Sequence, residues 1–188
     1  MATLTVFTPT YNRAYVLKQC YDSLCRQTCK DFVWLIVDDG SSDNTKEIVD
    51  EWMANDNGFE IRYVYKQNGG MHTGHNKAYE LIDTELNVCI DSDDFMPDDA
   101  VELIVNFWEE NKDSSYSGIL ALDVYKNGQV IGKELPNKKS TTLSGYYQNG
   151  GQGDKKLIYR TEIINKYPPY PEFEGEKFVP LDYKYLLA

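Results

Sequence analysis

The sequence predicts a three-layer α/β fold with a mainly parallel central sheet, and three observations carry that expectation. Over about the first 110 residues, β-rich apolar runs alternate with stretches apolar at helical spacing, in the order β-α-β-α-β-α-β-α. The run Phe32-Val33-Trp34-Leu35-Ile36-Val37 is apolar without alternation, as a strand covered on both faces should be. Two runs end abruptly in acid, at Asp38-Asp39-Gly40 and at Asp91-Ser92-Asp93-Asp94. In open α/β sheets, ligands bind just beyond the carboxyl ends of the strands.

Residues 3–7 read as the first strand, closed by the loop Thr8-Pro9-Thr10, and Asn12 is placed to cap the helix that follows. That helix carries Leu17, Cys20, Tyr21, Leu24 and Cys25 on one stripe. After the strand at 32–37, Asp43 or Asn44 caps a second helix, with Glu47 early in it and Ile48, Val49, Trp52 and Met53 turned inward. A third strand at 61–65, a turn at Gln67-Asn68-Gly69-Gly70 and a short helix at 74–82 follow. Residues 86–90 form the fourth strand. Pro97 then opens a helix at the position proline prefers, with Ala100, Val101, Ile104, Val105 and Trp108 as its stripe.

Beyond about Ser114 the texture changes. Residues 119–125 and 130–135 flank Asn127-Gly128, a hairpin signal. Residues 136–155 are polar and glycine-rich, a loop expected to be mobile. A short strand at 157–160, a short helix at 161–167 and the rigid linker Pro168-Pro169-Tyr170-Pro171 complete the chain. It stops at Leu186-Leu187-Ala188 inside a helical pattern, which points to a native chain that continues. The expected organisation is one domain over residues 1–188, divided at about 112 into two halves.

A net charge of −11 argues against nucleic acid or anionic lipid as the main partner. Cys20, Cys25, Cys29 and Cys89 form no Cys-x-x-Cys pair. Three are expected in the first helix and one in a buried strand, all reduced, as in a reducing compartment. The N-terminus runs straight into a strand with no signal peptide. No apolar run approaches the length of a membrane span, so the expected location is cytoplasmic.

The acidic end of the fourth strand admits three readings. It is a solvated loop, a calcium loop, or an Asp-x-Asp metal site that holds the diphosphate of a nucleotide. Asp91, Asp93 and Glu102 match calcium-loop positions one, three and twelve, but Phe95 and Met96 stand where a ligand and the obligatory glycine belong. A divalent cation with oxygen ligands is the simplest relief for carboxylates this dense. Gly69 to Gly74 spaces superficially like a phosphate loop, but His75-Asn76 replaces the Lys-Ser/Thr it needs. His72 and His75 lack a third zinc ligand nearby.

Four segments in order resemble the family 2 glycosyltransferases, which have the GT-A fold. They are Val6-Phe7-Thr8-Pro9-Thr10-Tyr11-Asn12-Arg13, Leu35-Ile36-Val37-Asp38-Asp39-Gly40-Ser41-Ser42-Asp43-Asn44-Thr45, Asn68-Gly69-Gly70 through His75-Asn76-Lys77-Ala78, and Ile90-Asp91-Ser92-Asp93-Asp94. The resemblance is close over about residues 3–110. It implies inverting transfer from a nucleotide-diphospho-sugar, usually with Mn2+ or Mg2+, to a hydroxyl of a glycan or lipid-linked acceptor, at the inner face of the membrane through that acceptor. Residues to about 112 would bind the nucleotide sugar and the rest the acceptor.

By the same resemblance, Thr8, Thr10, Tyr11 and Arg13 would border the nucleoside. Asp39 or its neighbour Asp38 would hydrogen-bond the base, commonly uracil. Asp91, with Ser92 beside it, would contact the ribose or a metal-bound water, and Asp93 would bind the metal. His75 stands where the family often has arginine, and Lys77 would supply the missing cation. The family's general base falls at Glu174-Gly175-Glu176-Lys177, with Glu176 the first choice and Glu174 and Asp182 as alternatives. Tyr146, Tyr147, Tyr170 and Tyr183 are candidates for stacking on acceptor sugar. Two other classes compete. One is a sugar-nucleotide-binding domain without turnover. The other is a sugar nucleotidyltransferase, which Thr8-Pro9-Thr10-Tyr11-Asn12-Arg13 opposes by lacking glycine.

Overall fold

A computed structural model describes residues 2–188. Six strands form one sheet in the order β3-β2-β1-β4-β6-β5. They are β1 (Leu4–Thr10), β2 (Phe32–Asp38), β3 (Glu60–Tyr65), β4 (Leu86–Cys89), β5 (Gly118–Leu122) and β6 (Lys155–Arg160). β1 pairs in parallel with β2 and β4, and β2 with β3. β6 runs antiparallel to both β4 and β5. The sheet is therefore mixed but mainly parallel, and β5 points the same way as β4.

Helices cover both faces. α1 (Ala14–Cys25), α2 (Thr45–Met53) and α4 (Ala100–Asn111) join Leu4, Val6, Trp34, Ile36 and Val88 in one apolar layer. α3 (Met71–Leu81) and α6 (Thr161–Ile164) close the other over Phe7, Leu35 and Val37. β2 is buried throughout, as its unbroken apolar run required.

Several boundaries depart from the sequence expectation. β1 runs on to Thr10 through Pro9, where a loop was expected. The Phe7 carbonyl accepts from Ile90 N–H on the β4 side, so Pro9, two residues on, faces that side as well. β4 has ended there, and the missing proline N–H breaks no ladder. Cys29 lies outside α1, in the connection to β2. Asn12 does not cap α1: at φ 52° its Oδ1 accepts from the N–H groups of Ser42 and Asp43 in the next loop. Asp43 serves both helices instead, accepting from Ala14 N–H and from the N–H and hydroxyl of Thr45.

α3 begins at Met71, earlier than expected, because Gly70 accepts from the N–H groups of Thr73 and Gly74. Pro97 precedes α4 rather than opening it. The buried Gln27 side chain, past the end of α1, donates to the Pro97 carbonyl and accepts from Val101 N–H. The hairpin at 119–135 is not the main pairing either. Asn127-Gly128 makes a turn closed by a single bridge, Val124 to Val130, while β5 pairs with β6. The polar loop contains α5 (Leu143–Gln148), capped by the Thr142 hydroxyl, and residues 182–185 form α7 (Asp182–Tyr185). Among the described residues no cysteine is paired and no helix is long and apolar enough to cross a membrane.

Candidate functional site

The carboxyl edge of β2, β1 and β4 gathers the sequence-predicted residues, and Asp39 organises it. Its Oδ1 accepts from Lys66 Nζ at 2.5 Å and Gly69 N–H at 2.9 Å, and its Oδ2 from Gly70 N–H at 2.8 Å and Asn68 Nδ2 at 3.1 Å. The side chain is 5% exposed, so both oxygens are turned to the protein's own loop. Gly70, at φ 97°, lies where a Cβ would stand 2.1 Å from the Lys177 carbonyl oxygen. Only glycine meets both conditions.

Asp38 is equally buried but less crowded. Its Oδ1 accepts from Ser41 N–H and its Oδ2 from the Tyr63 hydroxyl at 2.6 Å, leaving lone pairs free. The Asp38 carboxylate in turn pushes the Tyr63 phenol upward, adding to burial. Thr10 is buried, and its hydroxyl makes no hydrogen bond to another described residue. Thr8 lies deeper, with its hydroxyl accepting from Trp34 Nε1 at 3.0 Å. Tyr11 is exposed at the mouth.

The end of β4 holds the carboxylates. Arg13 Nη1 pairs with Asp93 Oδ2 at 3.2 Å, and Gln19 Nε2 donates to the Asp93 carbonyl. Asp94 N–H turns back to the Asp91 carbonyl, and Ser92 is buried beneath the turn. Asp91 is exposed at the surface, yet its surroundings strip its carboxylate of water. This desolvation lifts its carboxyl above the ordinary range, Asp94, Asp93 and Asp123 add to the rise, and Lys156 opposes it.

Among the described residues, no three metal-ligating side chains converge into a ready cage. The donor set at this strand end is nonetheless all carboxylate, and Asp93 Oδ1 is not engaged by Arg13. Magnesium-like cations are commonly held by one or two carboxylates together with substrate phosphates, which these residues fit.

α3 carries two of the expected residues. His75 is fully buried, T-shaped against Phe7 at 5.1 Å and near Cys89 Sγ and the Tyr185 hydroxyl. Burial, then Lys184 and His72, lowers its pKa to about 3. An imidazole that stays neutral brings no cation to a phosphate. Lys77 pairs with Glu80 along the helix surface. The segment bearing Glu176 crosses α3: Asn76 bonds the Tyr170 backbone, and Lys177 Nζ donates to Asn68 Oδ1. Glu176 itself is exposed, with Oε1 accepting from Phe178 N–H. Tyr146 and Tyr170 are buried packing residues, while Tyr147 and Tyr183 are exposed.

The chain's matches to known proteins follow the same geometry. The model of Glycosyl transferase family 2 matches residues 5–167. The chain belongs to glycosyl transferase family 2. Within that family it is 31% identical over 177 residues to Glycosyltransferase GlyG of Streptococcus pneumoniae, covering 94% of this chain and 54% of the relative. It is 30% identical over 144 residues to Chondroitin synthase of Pasteurella multocida, covering 74% of this chain and 15% of the relative. The family 2 chain thus spans from a small part to about half of these relatives. Its fold resembles S. aureus TarS 1-349 in complex with UDP-GlcNAc, with TM-score 0.69 and 23% identity over 88% of this chain and 47% of that one. It also resembles the mannosyltransferase PcManGT from Pyrobaculum calidifontis in complex with GDP-Man and Mn2+, with TM-score 0.65 and 18% identity over 90% of this chain and 47% of that one.

Sequence reasoning missed three members of this edge. Lys66 follows the end of β3, where a cation beside a strand-end acid was a readable signal. Asp123 and Lys156 left no such trace, because only the pairing of β4, β6 and β5 brings them to the acidic strand end.

Proposed function

We propose that this chain is the nucleotide-sugar-binding part of an inverting glycosyltransferase. It moves a sugar from a UDP-linked donor to a hydroxyl of a glycan or lipid-linked acceptor in polysaccharide synthesis, on the cytoplasmic side of the membrane. The observation that carries this reading is the shared sheet edge. In a family 2 chain, the carboxylates after β4 lie at the same sheet edge as the loop cluster built on Asp39. The UDP-GlcNAc complex of TarS and the curated synthases support the donor and product classes.

In this reading Asp38 accepts from the imide N–H of the base, and Asp39 acts through the loop it holds. Thr10, Tyr11 and Arg13 border the nucleoside, and Asp91 and Ser92 face the ribose. Asp93 holds Mn2+ or Mg2+, which when bound offsets the charge of the departing diphosphate. Glu176, or else Glu174 or Asp182, takes the proton of the attacking hydroxyl.

Asp93→Asn tests the carrying observation. The fold should survive, because the carboxylate is exposed and beyond the strand. Manganese-dependent UDP affinity, read by calorimetry, should fall sharply, and unchanged binding would remove the metal assignment. Glu176→Gln should lower transfer by about 10²–10⁴-fold with donor binding kept. Normal transfer in that variant would move the role to Glu174 or Asp182. Donor binding without any wild-type turnover would favour a binding domain over an enzyme.

A further inference from the structure

The mixed part of the sheet places two charged groups at the same edge as the nucleotide site. β5 and β4 point the same way, so Asp123, just past the end of β5, lies at the edge where the chain leaves β4 for Asp91. β6 runs the other way and starts there. Continuing its register with β4 from Val88–Ile158 by two positions sets Lys156 opposite Ile90, next to Asp91. Lys156 Nζ and Asp123 Oδ1 are 3.8 Å apart, an attraction too long to be a hydrogen bond. Their side chains are only 25% and 22% exposed.

Neither charged group makes a hydrogen bond to another described residue; the one bond at Asp123 uses its backbone carbonyl, which accepts from Ile131 N–H. Half-buried polar groups that leave their hydrogen-bonding capacity unused carry a desolvation cost without its usual return. A carboxylate can only accept and an ammonium can only donate. Side by side, they match two adjacent hydroxyls, one donating to Asp123 and the other accepting from Lys156. An anion is disfavoured, because Asp91, Asp94 and Asp123 surround the single lysine. Burial works against the Lys156 charge, and the carboxylates of Asp123, Asp91 and Asp94 hold it on.

We propose that Asp123 and Lys156 together clasp two neighbouring hydroxyls of a pyranose beside the transfer point. The proposal rests on the nucleotide-sugar reading above. The pyranose is either the donor's sugar or the acceptor's, and one set of variants separates the two. Asp123→Asn, Lys156→Met and the double variant keep side-chain size, and the double variant restores charge balance. Their thermal midpoints should lie close to wild type.

Calorimetry with manganese compares UDP with UDP-glucose, UDP-galactose and UDP-GlcNAc. Transfer assays then use p-nitrophenyl pyranosides as acceptor probes. If the donor's sugar is held, each single variant loses about tenfold or more in affinity for the UDP-sugar that wild type binds best, while UDP affinity stays unchanged. If the acceptor's sugar is held, both nucleotide affinities stay, and the KM for the best pyranoside rises by a similar factor. In either case the double variant should lose less than the product of the single losses, because the two residues hold one diol. Variants equal to wild type in both donor affinity and pyranoside KM overturn the clasp alone. A wild type that binds no UDP with manganese overturns the nucleotide-sugar reading, and the clasp with it.

Discussion

The two halves of the molecule are held together in different ways. Up to Asn111, strands β1 and β2 are almost wholly buried, and the loops at their carboxyl ends are fixed by carboxylates and an amide. Asn12, Asp39 and Asp43 each satisfy several donors from a neighbouring loop. Beyond Ser114, β5 is only half-buried, α5, α6 and α7 are four to six residues long, and Phe173, Phe178, Leu186 and Leu187 are exposed. That half has its own centre in Lys155, which is 8% exposed and donates to the carbonyls of Ile131, Gln152 and Asp154. The difference is one of chemistry. An anion that gathers N–H groups and a lysine fixes the loop that frames the candidate site. A cation that gathers carbonyls merely ties down a loop.

The largest expected effect tests that contrast directly. Asp39→Ala removes the carboxylate partner of the Lys66 ammonium and leaves the Gly69 and Gly70 N–H groups without their acceptor. It should cost about 3 kcal/mol or more in urea unfolding and abolish nucleotide binding. Lys155→Met removes charge-assisted bonds to neutral carbonyls and should cost about 2 kcal/mol, with UDP affinity kept. Equal costs, or a loss of UDP binding in Lys155→Met, would break the comparison.

A second effect sharpens it through pH. The His75 pKa falls to about 3 in the folded state, against about 6.5 when unfolded. The folded state therefore binds this proton less readily. Stability from the neutral imidazole is complete above about pH 6.5 and is lost as pH falls toward 3, by up to about 1.4 kcal/mol per pH unit. Urea midpoints at pH 7 and pH 5 should differ less in His75→Gln than in wild type. Parallel shifts would show that the acid sensitivity lies in other groups.

The smallest expected effect is at Asp91. Its folded pKa is raised, so its charged form is disfavoured in the fold. That penalty is absent below the unfolded value of about 3.9 and grows as pH rises through the folded one. Metal-free Asp91→Asn should therefore melt slightly above wild type at pH 7, with the gain vanishing in acid. A variant less stable at pH 7 would mean that Asp91 is a structural acceptor like Asp39.

By itself the sequence determined the alternating α/β order, the parallel β1 to β4 core, the two acidic strand ends and the family motifs. Each is written in local periodicity or in consecutive residues such as Asp38-Asp39 and Asp91-Ser92-Asp93. Tertiary structure alone decided which of those residues are buried and which are exposed at the sheet edge. Thr8 and His75 sit inside motifs yet face the core, because alternation along β1 and the buried face of α3 turn them inward. It also decided that β5 pairs with β6 across a long connection, against the local hairpin signal of Asn127-Gly128. A turn residue governs its own few neighbours. A strand's partner is set by which apolar face the rest of the sheet leaves to cover. That pairing carries Asp123 and Lys156 to the edge where Asp91 follows β4.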